Sequence, residues 1–158
     1  MSRAREIADL GSPAASGLSD RNLIINGAVQ VAQRRISATA SSGYNTVDRF
    51  QLSVVNMDNA AYTYVQSSVA PTGFSKSWRL DCTTVESALA ADEYSTFAQA
   101  IEAQNLQQIS NGSSAAKSLT LSFYVKSSRT GTFGFSIYKP DNTERVIAKT
   151  YTITSANT

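Results

Sequence analysis

Tyrosine and carboxylate side chains are the groups of this sequence that could bind a ligand or do chemistry, because the chain has no histidine. Tyr62 and Tyr64 are separated by one residue, so they share a face if residues 60–68 form a strand. Exposed aromatic rings can stack on the apolar faces of sugars. Tyr62 and Tyr64 are therefore candidate glycan-stacking residues, and Tyr44 and Tyr138 extend the same idea. The alternative, which the sequence favours, is that these rings lie in a core or an interface and bind no sugar.

The absence of histidine also limits catalysis. It excludes Ser-His-Asp and Cys-His mechanisms, together with metal sites that use an imidazole ligand. A pair of carboxylates could still hydrolyse a glycoside, but the sequence fixes no distance between the candidates. Those candidates are Asp48, Asp58, Asp81, Glu86, Asp92, Glu93 and Glu102. Asp141-Asn142 lacks the glycine and the closing glutamate of a calcium-binding loop. We predict that the protein is not an enzyme and needs no cofactor or metal.

Charge and hydropathy narrow the classes of partner. The net charge of +2 is too small to indicate nucleic-acid binding. No apolar run is long enough to cross a bilayer, so we predict no membrane insertion. The charged residues near the amino terminus interrupt any apolar core of a signal peptide.

A period of two in residues 118–126 is the clearest structural pattern of the sequence. Leucine, phenylalanine and valine alternate there with serine, threonine, tyrosine and lysine. Such alternation predicts a strand with one apolar and one polar face, in an antiparallel sheet that packs on a second sheet. Further strands are predicted, from similar patterns, over residues 46–54, 60–68, 75–83, 94–101, 132–138 and 145–153. Residues 102–109 suggest a helical turn that ends at residues 110–112.

The lone cysteine, Cys82, rules out an internal disulfide. It shares the parity of Trp78 and Leu80 in the strand predicted over residues 75–83, which predicts a buried packing thiol.

Turn residues recur between the predicted strands at a spacing typical of a β-sandwich or jelly roll. No long amphipathic helix separates the strands, which argues against a parallel sheet. We therefore predict a mostly β fold, an antiparallel jelly-roll-like β-sandwich over residues 21–158. A sheet that stopped at residue 158 would expose a long edge, so we expect the domain to be truncated at its carboxyl end or covered by a neighbouring subunit.

Residues 1–20 are predicted to form a separate anchor helix and linker. Ser2 can cap a short helix over residues 2–10, and Gly11 suits the position after its end. Residues 12–17 have the composition of a linker. An isolated helix of this length is marginal, which favours a peptide that becomes ordered against a partner. The candidate docking residues are Arg3, Arg5, Ile7 and Leu10. The alternative is a frayed tail.

Three parts of the chain resemble proteins of phage particles. Residues 2–11 (SRAREIADLG) resemble the amino-terminal anchoring segment of many phage tail and fibre proteins. Residues 22–34 (NLIINGAVQVAQR) followed by residues 44–50 (YNTVDRF) resemble a block shared by virion structural proteins of phages, especially marine ones. Residues 94–107 and 117–127 (KSLTLSFYVKS) are similar to jelly-roll domains of the carbohydrate-binding-module type.

The resemblance implies a structural component of a phage virion, the proximal, tail-attaching part of a tail fibre involved in host adhesion. It implies docking on a tail-body protein of adaptor, nozzle or baseplate type, and assembly as a homotrimer. A host surface glycan would be contacted through distal regions. No catalytic residue is implied at any matching position. Two alternatives stay open, a glycan-binding jelly-roll module and a fragment of a polysaccharide depolymerase.

Overall fold

A computed structural model of the chain describes residues 22–39, 42–57, 60–140 and 143–157. The predicted anchor over residues 1–20, with its docking residues Arg3, Arg5, Ile7 and Leu10, lies outside the described residues. The chain divides into two units. The amino-terminal unit ends at Leu119 and the carboxy-terminal unit is Thr120–Thr158, so the predicted domain over residues 21–158 falls into two parts.

The prediction of a mostly β, antiparallel fold is confirmed. In the described residues the strands are β1 (Ser37–Thr39), β2 (Gln51–Val55), β3 (Ala61–Ser67), β4 (Ser77–Thr84), β5 (Tyr94–Ala98), β6 (Gly131–Lys139) and β7 (Arg145–Ile153). A 3₁₀-helix at Ala103–Ile109 follows β5 and ends at Ser110, whose φ is 53°. The sheets are small and do not close: β1-β3-β4, β2-β5 and β6-β7.

The amino-terminal unit has one core, to which both of its sheets contribute. Ala38 of β1, Leu52 of β2 and Tyr64 of β3 form a buried cluster. Val54, Trp78 and Leu80 pack against it and are partly buried. Because side chains alternate along each strand, each of these strands can direct one row of residues into the cluster.

Trp78 is the centre of an aromatic group in this core. Its ring centroid lies 4.1 Å from that of Phe97, 5.6 Å from that of Phe50 and 6.2 Å from that of Tyr64. The indole N–H donates a hydrogen bond of 3.1 Å to Oγ1 of the buried Thr46. The partly buried ring of tryptophan thus has a partner for its one polar group.

The segment before β1 is held by side-chain amides and not by strand pairing. Residues 28–34, which alternate weakly, form no strand. Gln99 directly follows β5. Its Oε1 accepts the Ile25 N–H at 2.8 Å, and its Nε2 donates to the Ile25 carbonyl at 2.8 Å. The Gln66 amide donates to the carbonyls of Val29 and Gln30. These bonds satisfy backbone groups that a strand partner would otherwise satisfy.

The prediction of a buried thiol at Cys82 is wrong, because the side chain is exposed. Cys82 lies opposite Tyr62 near the end of β4, where the register shifts between Ala61 and Tyr62. The core cluster extends along β4 only as far as Leu80. Cys82 therefore shares the parity of Leu80 in β4 but lies beyond the residues that pack on the core.

The prediction of a strand over residues 118–126 is also wrong. These residues have no strand assignment, and no strand pairing includes them. Phe123 nevertheless makes edge-to-face contacts with Phe135 of β6 and Tyr151 of β7, at centroid distances of 5.9 and 5.3 Å. The alternation reports an apolar face correctly, but a strand also needs a hydrogen-bonded neighbour, which alternation does not supply.

The carboxy-terminal unit contains the β6-β7 hairpin. Cross-strand pairs such as Phe133–Tyr151 and Ile137–Ile147 place most of the large apolar residues of both strands on one face, whereas Tyr138 and Val146 pair on the other. None of the described residues of this unit is buried. A two-stranded hairpin is at best marginally stable in water, so this apolar face needs a cover.

Candidate functional site

The two predicted glycan-stacking residues lie in the core. Tyr64 is fully buried, and Tyr62 retains 9% of its surface exposure. The Tyr62 hydroxyl donates to the Met57 sulfur at 3.5 Å, and burial, together with the nearby Cys82 charge, raises the pKa of the Tyr62 phenol above 10. A buried ring offers no face to a sugar, so stacking at these positions is wrong in this fold. Both rings lie on the face of β3 that meets β2.

The other two tyrosines considered from the sequence are accessible. Tyr138 is 55% exposed on β6, and its hydroxyl donates to Glu144 at 2.8 Å. This hydrogen bond to a carboxylate favours the neutral phenol and raises the pKa of Tyr138. Tyr44 is 38% exposed and borders a cavity.

The cavity at Tyr44 is an open depression of about 350 Å³ in the amino-terminal unit, with polar and apolar surface in similar amounts. We call it the Tyr44 cavity. It is lined by Gln33, Arg34, Tyr44, Asp48, Arg49, Ala100 and Glu102. Two guanidinium groups and two carboxylates therefore share its wall with one aromatic ring and one amide side chain.

A tight turn of the backbone forms one wall of the Tyr44 cavity. Phe50 N donates to the Val47 carbonyl at 3.3 Å, and Arg49 within this turn has a φ of 73°. A positive φ is uncommon for a residue with a side chain, and such residues cluster at functional sites. Both backbone polar groups of Asp48 are bonded, because its N–H donates to the Val31 carbonyl at 3.0 Å and its carbonyl accepts from Asn26 at 3.0 Å.

The charged groups of the Tyr44 cavity have defined partners. Asp48 Oδ1 accepts the Gln33 backbone N–H at 3.1 Å. Arg49 Nη2 lies 2.9 Å from Glu102 Oε1, which joins the turn to the residue that precedes the 3₁₀-helix. The two side chains are 37% and 63% exposed, so this ion pair contributes orientation more than stability. Arg34 Nη1 donates to the Tyr44 carbonyl.

The candidate carboxylates do not form a metal site in the described part of the chain. No group of three or more histidine, cysteine, aspartate or glutamate side chains there could hold an ion. Of the seven carboxylates named from the sequence, Asp48 and Glu102 are brought together at the Tyr44 cavity. The prediction that the protein is not an enzyme stays a prediction.

The residues that line the cavity together with Tyr44 were not predicted from the sequence. Arg34-Arg35 has the appearance of a solvated strand end, and Glu102 is more than fifty positions from Arg34. The cavity is assembled by the positive φ of Arg49 and by the Asn26 contacts, neither of which has a signature in the residue pattern. The available signal is indirect, since Gln33, Arg34, Tyr44, Asp48 and Arg49 lie within or beside the blocks that carry the resemblance.

A second surface of interest is the apolar face of the β6-β7 hairpin, which we call the hairpin face. It comprises Phe133, Phe135, Ile137, Ile147, Tyr151 and Ile153, and Lys149, the cross-strand partner of Phe135, lies among them. Ile137 is 46% exposed and Ile147 is 59% exposed. Leu121 and Val125, on the parity of Phe123, are 42% and 44% exposed. Exposed apolar patches of this kind mark interaction surfaces.

Comparisons with known proteins give no relative: no family model, no curated protein and no solved structure matches the chain. Among the described residues no helix has the length and apolar character needed to cross a membrane.

Proposed function

We propose that the chain is a structural component of a phage virion, the proximal part of a tail fibre involved in host adhesion. In this proposal three copies assemble into a homotrimer, located in the phage tail. Residues 1–20 dock on a tail-body protein of adaptor, nozzle or baseplate type, through Arg3, Arg5, Ile7 and Leu10. Contact with a host surface glycan would be made by distal regions.

The observation that supports this proposal best is the hairpin face, which is covered only in part by Phe123. None of the described residues of the carboxy-terminal unit is buried, although Phe133 and Phe135 lie on one face of the hairpin. Burial of apolar side chains is the main favourable term in folding and association. A neighbouring copy can cover such a face, and closed cyclic symmetry leaves no copy with an uncovered face. The jelly-roll-like sandwich of the proposal would be completed in this way.

The sequence resemblance supports the virion location and the role of the anchor. Residues 2–11, 22–34 and 44–50 carry it. A short helix binds weakly as a single copy, whereas three linked copies gain avidity well beyond one. The function is adhesion and transmission of force, and it requires no chemistry at the Tyr44 cavity.

Deletion of residues 1–17 tests the docking role. We expect the shortened chain to keep the circular dichroism spectrum of the β units and to be absent from purified phage particles. A finer variant combines Ile7→Ser with Leu10→Ser. Its matched control combines Ala14→Ser with Ala15→Ser in the linker, which should leave incorporation unchanged.

Two outcomes would overturn the proposal. Particles that incorporate the shortened chain at the wild-type level would show that residues 1–17 do not dock. Turnover of capsule or lipopolysaccharide by the purified chain would replace the structural role with the depolymerase alternative.

A further inference from the structure

The charges of the Tyr44 cavity restrict what can bind there. Arg34 and Arg49 are balanced by Asp48 and Glu102, so the formal charge of the lining is zero. A multiply charged anion would meet two carboxylates, and a cation would meet two guanidinium groups. An apolar ligand would remove four charged groups from water without replacing their hydrogen bonds, which is costly. The wall therefore favours a neutral ligand that is rich in hydrogen-bonding groups.

Hydroxyl groups match this wall, because each one donates and accepts a hydrogen bond. The guanidinium of Arg34 uses one N–H for the Tyr44 carbonyl, and that of Arg49 uses one for Glu102. In the described part of the chain this leaves further donors on each group. Asp48 and Glu102 each have a second carboxylate oxygen beyond the one that is bonded. Donors and acceptors therefore alternate around a small volume.

Tyr44 adds an apolar surface to this polar wall. Tyr44 is 38% exposed and is one of the residues that line the cavity. Aromatic side chains present an apolar face with a polar tip, which suits molecules that carry C–H groups on one side and hydroxyls around the edge. The volume of about 350 Å³ is at the lower end of the range of ligand sites, so it suits one small ring and not an extended molecule.

The wall is held in place before any ligand arrives. Asp48 is fixed through Val31, Asn26 and Gln33, and Arg49 is fixed by its turn and by Glu102. Groups that are already ordered lose less conformational entropy on binding.

We propose that the Tyr44 cavity binds one neutral pyranose residue of a saccharide, with Tyr44 against the ring and Arg34, Asp48, Arg49 and Glu102 around its hydroxyls. This site is distinct from the buried Tyr62 and Tyr64. The inference does not depend on the virion role. A chain that binds sugar but does not join particles would uphold this site and defeat the docking role.

Titration of the full chain with monosaccharides, followed by NMR saturation transfer and amide shift changes, tests the site. The probes are glucose, galactose, mannose and N-acetylglucosamine. Glucuronate and inorganic phosphate are titrated as anionic ligands for comparison with the neutral sugars. We expect saturable binding of at least one neutral sugar with a Kd of about 1–20 mM, typical of a small shallow site, and shifts at the amides of residues 33, 44 and 49.

Variants separate the site from the rest of the surface. Tyr44→Ala and Arg34→Gln should each weaken binding by at least about fivefold. Tyr94→Ala is the matched control, because Tyr94 is also exposed in the amino-terminal unit but lies outside the cavity lining. Circular dichroism confirms that each variant is folded. The proposal is overturned if no neutral sugar binds with a Kd below 50 mM, which corresponds to a binding free energy of about 2 kcal/mol at the 1 M standard state. It is also overturned if Tyr94→Ala weakens binding as much as Tyr44→Ala. Tighter binding of phosphate or glucuronate than of every neutral sugar would overturn it as well.

Discussion

Asn26 bonds three backbone groups of two residues, Val31 and Asp48, through its side-chain amide. Its Nδ2 donates to the carbonyls of Val31 and Asp48 at 2.9 and 3.0 Å, and its Oδ1 accepts the Val31 N–H at 3.1 Å. Its φ of 59° lies in the left-handed region that asparagine tolerates well. The turn at Asn26-Gly27 is closed by a bond of 2.8 Å from the Val29 N–H to the Asn26 carbonyl, and the Asn26 side chain also fixes the wall of the Tyr44 cavity.

Replacement of Asn26 with alanine should lower the free energy of unfolding by about 2–3 kcal/mol, because backbone groups lose their partners and the left-handed conformation becomes strained. Asn56→Ala is the matched control, since Asn56 also has a positive φ but makes a single exposed bond, to Asp92. Urea unfolding followed by tryptophan fluorescence measures both. Equal losses in the two variants would show that the strain, and not the Asn26 hydrogen bonds, determines the effect.

Tyr62 gives the amino-terminal unit a pH dependence in alkaline solution. Burial raises the pKa of this phenol above its usual value of 10.0 in the folded state. The folded chain then holds the proton more tightly than the unfolded chain, so the stabilising contribution is complete below pH 10 and is lost as the pH rises through the raised pKa.

The Tyr62→Phe variant should therefore lose less stability than the wild type between about pH 8 and about pH 11. The other tyrosines are present in both proteins and cancel in the comparison. Urea midpoints at the two pH values measure the difference. A wild type and a variant that lose stability in parallel would show that Tyr62 titrates alike in the folded and unfolded chains.

At the scale of elements, alternation predicted the strands whose inward face meets a core or a paired strand. Strands β3, β4, β6 and β7 fall close to their predicted bounds, and β5 is shorter than predicted. The three-residue β1 was missed because so short a segment carries no periodic signal. The Tyr44 cavity was missed for another reason, since its parts meet through turns whose φ values are set by tertiary contacts.

Residues 118–126 show what alternation leaves undetermined. The alternation of apolar and polar residues determines which side chains share a face. Backbone hydrogen bonding between strands depends in addition on a neighbouring strand with free backbone groups. Phe123 contacts Phe135 and Tyr151 as the pattern requires, yet the backbone has no strand partner.

Phe123→Ala should loosen the hairpin that Phe123 contacts. Loss of two edge-to-face ring pairs, each worth about 0.5–1.5 kcal/mol, should raise the amide exchange rates of β6 and β7 by at least about fivefold and by up to about 150-fold. Ser122→Ala is the neighbouring control on the polar parity and should leave these rates unchanged. Unaltered exchange in Phe123→Ala would mean that the ring contacts do not stabilise the hairpin.

The two units of the molecule differ in what covers their apolar residues. The amino-terminal unit buries Ala38, Leu52 and Tyr64 in its own core. The carboxy-terminal unit buries none of its described residues, and its exposed apolar groups include Val146 at 62% and Ile147 at 59%. A unit that buries its own apolar residues, as the amino-terminal unit does, can be stable alone. The carboxy-terminal unit requires a further surface to cover its apolar residues.

If copies of the chain supply that surface, as we propose, then stability must depend on concentration. The melting temperature should rise with protein concentration, because association stabilises the folded chain by mass action. Sedimentation equilibrium should give the mass of a trimer. A variant that combines Leu121→Thr with Val125→Thr removes apolar surface on the parity of Phe123, and it should weaken association by at least about tenfold, equivalent to about 1.4 kcal/mol. The control combines Ser122→Thr with Lys126→Gln on the polar parity and should associate as the wild type does. A monomer at every concentration, with a melting temperature that does not change, would remove self-association from the proposal and leave the hairpin face to a different partner.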